Sequence, residues 1–274
     1  MTAFTETEAQ KPKRPLAPAR SKGGTPRVVG ALILREMSST YGRSPGGYVW
    51  AVLEPVAAIV ILAIGFSLLL KAPSLGTNFL LFYASGMLPL RFFQSIASSV
   101  GSAIQFNLPL MSYPRVTYLD TILARGLLAV LTQTMVTVII LAGIFLTQDI
   151  RQSIDPAPIL EAFLLCALLG VGLGVFNCFM FIRFPIWKTI WGIATRPLIL
   201  ISGVFYTFED LPRVLQEILW FNPLIHIVGI LRDGVYSTYD PAYVSIPFVV
   251  LFGLIPMVFG LLLLWRFGRD MLQR

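Results

Sequence analysis

The sequence predicts an all-α integral membrane protein: six transmembrane helices, an N-terminal amphipathic interfacial helix, a re-entrant helical hairpin between the fifth and sixth spans, and both termini in the cytoplasm. Three observations carry this. Of 274 residues, 56% are hydrophobic and 13% charged, whereas a soluble domain carries about 25% charged residues. Six windows reach the roughly 20 apolar residues that a helix needs to cross the hydrocarbon core. Lys and Arg gather on one side of the resulting ladder. A chain so poor in charge cannot cover a water-facing surface, which excludes an ordinary soluble enzyme.

Residues 1–25, rich in Lys, Arg and Pro (Lys11, Lys13, Arg14, Arg20 and Lys22 among them), read as a disordered basic arm. The net charge is +7, and eight of the basic residues precede the first long apolar run and form no stripe, so nucleic acid is not an expected partner. No short apolar stretch with a cleavage site follows the charges, so the first apolar run is expected to remain in the mature protein. Residues 26–47 form an interfacial helix and linker. Val29, Ile33, Met37 and Tyr41 recur at helical spacing with Val28 and Leu32 beside them, and Arg27, Arg35 and Glu36 fall on other faces. This pattern suits a membrane-surface anchor and a docking element equally. Gly42, Pro45, Gly46 and Gly47 end it before Tyr48 and Trp50 enter the membrane.

Residues 48–274 make up the transmembrane domain, with spans at 48–70, 78–100, 126–147, 158–182, 190–208 and 244–265. An even number of crossings leaves both termini on one side. That side holds eight basic residues before the first span, Arg115 and Arg125, Arg183 and Lys188, and Arg266, Arg269 and Arg274. The other holds only Lys71, Arg151, Arg213 and Arg232, with Asp149, Asp155, Glu209, Asp210, Glu217, Asp233 and Asp240. The basic side is therefore the cytoplasm. The 102–120 connection, with Asn107, Pro109, Pro114 and Arg115, predicts an ordered cytoplasmic turn of short helix suited to a partner protein. The 209–241 connection predicts two short helices dipping into the outer leaflet. The first is capped by Asp210 with Pro212 in its first turn, and the second opens at Asn222-Pro223. A structural lid without a gating role fits the same pattern.

Glu54 lies roughly 9 Å into the first span, with Arg91 and Arg196 at a similar level of the second and fifth. An Arg near mid-membrane costs about 2.5–3.5 kcal/mol on insertion scales, so each needs a partner or water. Either Glu54 locks helices together through one Arg, or the surplus Arg faces an aqueous path for an anionic solute. Phe82, Tyr83, Phe92 and Phe93 are candidates to guide sugars by ring stacking, although membrane interfaces collect aromatics in any case. Gly170, Gly172 and Gly174 predict close helix packing and not a phosphate loop, because no Lys-Ser or Lys-Thr follows them. The chain has no G-x-x-x-x-G-K-[ST] motif, so ATP-driven work requires a second polypeptide. A single histidine, His226, and two cysteines in one apolar run, Cys166 and Cys178, supply no metal site, disulfide framework or catalytic triad. A lipid-modifying enzyme would need a polar catalytic cluster, and a passive scaffold would not need the hairpin.

Leu34-Arg35-Glu36, Tyr41-Gly42-Arg43-Ser44, Gly47-Tyr48-Val49-Trp50-Ala51 and Glu54-Pro55 resemble the opening of type-2 ATP-binding-cassette export permeases, in particular the capsular-polysaccharide export branch. The run Leu108 to Asp120, with Tyr113-Pro114-Arg115-Val116, and Asn222-Pro223-Leu224-Ile225-His226 leading to Arg232 agree with it. Gly46 departs from the Leu expected there, and the basic arm falls outside the likeness. The resemblance implies a bacterial inner-membrane, multi-pass half-transporter. It would pair with itself and with two ATPase subunits that hold the ATP and Mg, and would itself carry no cofactor. It implies a coupling surface at Asn107, Leu108, Tyr113 and Arg115 and an external gate at Asn222, Pro223, His226 and Arg232. The implied substrate is a lipid-linked polysaccharide, passed on to periplasmic adaptor and outer-membrane export proteins. O-antigen, teichoic-acid, small-lipid and drug exporters share the architecture.

Overall fold

The computed structural model describes residues 24–40, 46–111, 116–148 and 153–272, and all regular structure among them is helical. The basic arm up to residue 23 and the linker at 41–45 lie outside the described residues. Helix α1 (Gly24–Thr40) confirms a helix ahead of the first span, but its buried side differs from the one expected. Leu32 and Glu36 are buried, while Met37 and Leu34 are exposed. Glu36, expected on a polar face, points into the protein because Arg125 is there to meet it.

The long helices follow the apolar windows. Helix α2 (Gly47–Ser67) starts after Gly46, whose φ of 80° is open to glycine at little cost. That conformation accounts for the absence of Leu at this position. Asn78 opens α3 (Phe79–Gly101) by accepting from the backbone N–H groups of Leu80 and Leu81. A short α4 (Ala103–Asn107) and a 3₁₀ turn (Leu108–Leu110) follow. Helix α5 (Tyr118–Thr147) begins eight residues before its window, at a capping box formed by Thr117 and Asp120. Arg125 is therefore a helical residue and not part of the loop. Helix α6 (Pro156–Arg183) is capped by Asp155.

The fifth expected span, 190–208, is not one helix. The chain forms α7 (Pro185–Ala194) and the single turn α8 (Leu198–Ile201), then turns away at Gly203, φ 75°. Pro197 causes the break, since it lacks an N–H and disfavours helical geometry at Arg196. Irregular backbone at membrane depth survives only where protein or trapped water satisfies it. Here the side chains of Gln94, Asn222 and Arg232 donate to the carbonyls of Thr195 (3.2 Å), Ile201 (2.8 Å) and Tyr206 (2.8 Å).

Helices α9 (Arg213–Leu219) and α10 (Pro223–Val235) meet at 104° and form the expected hairpin. Asp210 does not cap α9; its carboxylate accepts from the Thr207 hydroxyl at 2.6 Å. Helix α11 (Ile246–Leu272) closes the chain. Five helices among the described residues are long and apolar enough to cross a membrane, and six if the bent pair is counted as one.

Helix α6 is the central element and packs against α3, α11 and α10. The three glycines expected to permit close packing lie at these seams. A Cβ on Gly172 would land on the Gly253 carbonyl of α11, and one on Gly174 would sit 2.6 Å from Val100 of α3. Near the other termini of these helices, Gln105 donates to the Phe181 carbonyl at 3.0 Å. Leu108, Tyr118, Ile182 and Leu264 line an apolar cavity of about 220 Å³. Together with the Arg35–Asn107 bond, this puts α1, α4 and the C-terminal end of α11 at one end of the bundle. Replacing Gly172 with Ala is expected to lower the thermal midpoint of the purified protein by the equivalent of about 1–3 kcal/mol of overpacking. The same change at Gly192, which has nothing within 4 Å, should leave the midpoint unchanged.

Candidate functional site

The intramembrane charges define an open polar cleft. Arg91 of α3 donates to Glu54 of α2 at 3.2 Å, and both side chains stay open, 41% and 71% exposed. Together with Ala51, Pro55, Gln94, Ser95 and Gln133 they line a cavity of about 360 Å³. Gln133 of α5 donates to Ser95 at 2.9 Å, holding α5 on the floor of the cleft. Gln94 reaches the Thr195 carbonyl, which brings Arg196 to the far side of the same polar strip of α3. Arg196 is exposed and makes no ion pair among the described residues. One arginine is thus paired across two helices and one is left over, as the two-to-one charge count requires.

The aromatic candidates lie elsewhere. Phe82, Tyr83, Phe92 and Phe93 are each 2% exposed or less and fill the core. Tyr83 packs against Phe66 with ring centroids 5.2 Å apart, and Phe92 against Phe163 at 5.1 Å. In the chain they support α3, and none of them lines the Glu54–Arg91 cleft; Phe93 alone borders a separate, largely apolar cavity beside Trp191 and Asn222.

At the hairpin, all four expected residues make defined contacts. Asn222 accepts from the Leu224 N–H and donates to the Ile201 carbonyl, which pins the elbow to the end of α8. Pro223 occupies the first turn of α10. His226 is buried between Trp220 and Ser245. The Ser245 N–H donates to Nδ1 at 3.2 Å, so the proton sits on Nε2, which donates to the Trp220 carbonyl at 2.8 Å. This is a neutral bridge between α9, α10 and the start of α11. Arg232 is 2% exposed and reaches the Tyr206 carbonyl and the face of the Phe82 ring.

At the opposite end, Asn107 is buried, accepting from Arg35 at 3.2 Å and donating to the Ala103 carbonyl at 3.1 Å. Leu108 beside it is exposed, as is Phe106 on its other side. Tyr113 and Arg115 lie outside the described residues. The residue that sequence reasoning missed is Arg125. It sits 2.7 Å from the Glu36 carboxylate, donates to the carbonyl and hydroxyl of Ser102, and stacks 4.4 Å over Phe106. Burial pushes the Glu36 carboxyl above its ordinary value, and Arg125 pulls it partly back. The signal was present in the sequence as two charges, each set among apolar residues at helical spacing.

The described residues thus form a bundle of membrane-spanning helices with an open polar cleft, a helix α1 braced against α4 and α5, and a hairpin of two short helices. The sequence matches the ABC-2 type transporter family over residues 27–236, and the chain belongs to that family. It is a membrane transport component that works with a separate ATPase. Three relatives are similar over most of their length. One is the capsule polysaccharide export inner-membrane protein CtrC of Neisseria meningitidis serogroup B, 28% identical over 89% of this chain and 92% of the relative. Another is the polysialic acid transport protein KpsM of Escherichia coli, 30% identical over 86% and 92%. The third is the capsule polysaccharide export inner-membrane protein BexB of Haemophilus influenzae, 29% identical over 89% and 92%.

Breaking a buried ion pair from one side leaves a stranded charge and costs about 3–5 kcal/mol. Arg125→Ala is therefore expected to destabilise the protein by about that amount in chemical denaturation. The double variant Glu36→Gln, Arg125→Met should recover much of the loss, because no unpaired charge remains.

Proposed function

We propose that this chain is the permease of an ATP-driven exporter that carries a lipid-linked, acidic capsular polysaccharide across the bacterial inner membrane. The observation that carries the reading is the open cleft at membrane level, where Glu54 cancels Arg91 and leaves Arg196 to attract an anion. Family membership and the names of the relatives support the substrate class. The cleft is lined by α2, α3 and α5 and stays open, with Glu54 71% exposed. Helix α2 exposes Val49, Trp50, Ile61 and Ile64, and α7 exposes Ile186 and Ile193. A second copy of the chain placed on these apolar edges closes the cleft into a conduit.

In this arrangement the end bearing α1, α4 and the tail of α11 faces the cytoplasm, in accord with its Lys and Arg excess. Leu108, with Tyr113 and Arg115, meets the ATPase, while Asn107, Arg35, Glu36 and Arg125 hold that surface in place. Two ATPase subunits drive the dimer. The hairpin at Asn222, Pro223, His226 and Arg232 is the external gate, where periplasmic adaptor and outer-membrane export proteins take over the polymer.

Deleting the gene is expected to leave finished polymer inside the cell; normal surface polymer would overturn the proposal. In the complemented strain, Arg196→Gln should reduce surface polymer several-fold with no fall in thermal midpoint. A lowered midpoint with unchanged export would assign Arg196 to helix locking instead.

A further inference from the structure

Arg232 is the one large charged side chain among the fully buried residues, at 2% exposure. All its partners are neutral. Nη1 donates to the Tyr206 carbonyl at 2.8 Å, Nε lies 3.4 Å from the Ser85 hydroxyl oxygen, and the guanidinium carbon sits 4.3 Å over the Phe82 ring. Among the described residues Nη2 has no hydrogen-bond partner, nor does the hydroxyl of Tyr236, the residue just past the end of α10. No carboxylate lies within ion-pair distance among the described residues. Glu209, in the segment that supplies the Tyr206 carbonyl, is engaged by the Tyr239 hydroxyl at 3.0 Å.

These contacts join three pieces of chain: the hairpin helix α10, the α3 segment bearing Phe82 and Ser85, and the irregular stretch after the broken span. The geometry of the guanidinium stabilises the joint. Its charge does the opposite, since a buried cation with no carboxylate in contact carries a desolvation penalty that Glu209, acting at longer range, offsets only in part. A side chain kept only for cohesion would gain from a carboxylate partner or from being apolar. We propose that Arg232 is a latch on the outer end of the conduit. Neutral contacts hold it closed, and its dry charge favours release, because opening the joint returns the guanidinium to water. The closed hairpin is then poised close to its opening point and not sealed. This rests on the placement of the hairpin at the external gate.

Val204 provides a reporter. It is fully buried in the seam that Arg232 bridges, with its Cα 2.7 Å from where a Cβ on Gly86 of α3 would stand. The native cysteines, Cys166 and Cys178, are both buried, so background labelling is low. The experiment measures the rate at which a water-soluble maleimide labels Val204→Cys in the full chain in lipid nanodiscs, together with the thermal midpoint. Arg232→Met, of similar length but without charge or donors, should slow labelling several-fold and leave the midpoint equal or higher. Arg232→Lys, which keeps the charge and loses the planar contacts, should speed labelling several-fold and lower the midpoint.

Faster labelling in both variants would make Arg232 an ordinary structural clamp and overturn the proposal. So would an Arg232→Met protein that labels at the parental rate or does not fold. Neither readout needs polymer or ATPase, so these failures leave the export reading standing. Normal surface polymer in the deletion strain would remove that reading without touching the labelling result.

Discussion

The close approach of α6 to α3 on one side and to α11 on the other is the contact on which the rest of the bundle depends. In lipid there is little hydrophobic drive between helices, so association relies on dispersion and on short approach distances. Gly172 lets the α11 backbone at Gly253 come against α6, and Gly260 lets the α6 backbone at Phe176 come against α11. Gly170 and Gly174 admit Ile96 and Val100 of α3 in the same way. The hairpin rests on this platform: Gly234 of α10 stands over Asp155 and Ile159, and its carbonyl accepts from the Asp155 N–H at 2.9 Å. Widening either seam would unseat the platform before it disturbed the cleft.

A second constraint follows from the broken fifth span. The break at Pro197 and the turn at Gly203 leave carbonyls that a continuous helix would have consumed. The residues that take them up are Gln94 on the floor of the cleft, Asn222 at the hairpin elbow and Arg232 inside it. Cleft and hairpin are thus tied to the same irregular stretch from opposite ends. Any movement of 195–206 has to exchange hydrogen bonds with one or the other. Three named donors thus tie the level of Arg196 to the hairpin end of the bundle.

Much of the architecture was legible because membrane-spanning helices declare themselves in long apolar runs. Asn78, Asp155 and Asn222 open their helices at or close to where the apolar runs begin. The glycines of α6 were legible as packing residues, since no polar group stood near them. What was not legible depended on partners distant in sequence. Glu36 counts as a polar-face residue until Arg125 is placed beside it, and 89 positions separate the pair. Apolar content alone made 190–208 a span, because hydropathy does not register that a proline removes a donor in mid-membrane. Likewise the density of aromatics around α3 marks their presence but not their direction. Burial at 2% exposure or less turns Phe82, Tyr83, Phe92 and Phe93 into core residues.

Four of the arginines, three in helices and Arg196 in the break between α7 and α8, occupy four distinct electrostatic conditions. Among the described residues, Arg125 is buried and ion-paired, Arg91 open and ion-paired, Arg196 open without an ion pair, and Arg232 buried without one. A charge at this depth is tolerable when water or a counter-ion reaches it. Arg125 has the counter-ion, Arg196 has only the opening, and Arg91 has both. The same residue type therefore serves unlike ends. At the inner loop a sealed pair fixes geometry, and replacing either member strands the other. In the proposed conduit the accessible Arg196 would change the potential felt by anything passing, with little bearing on how the helices hold together. Among these four, only Arg232 lacks both a carboxylate in contact and an opening to water, so it alone sets local geometry against charge. Glu209 acts on it only at longer range, because the Tyr239 hydroxyl engages that carboxylate at 3.0 Å.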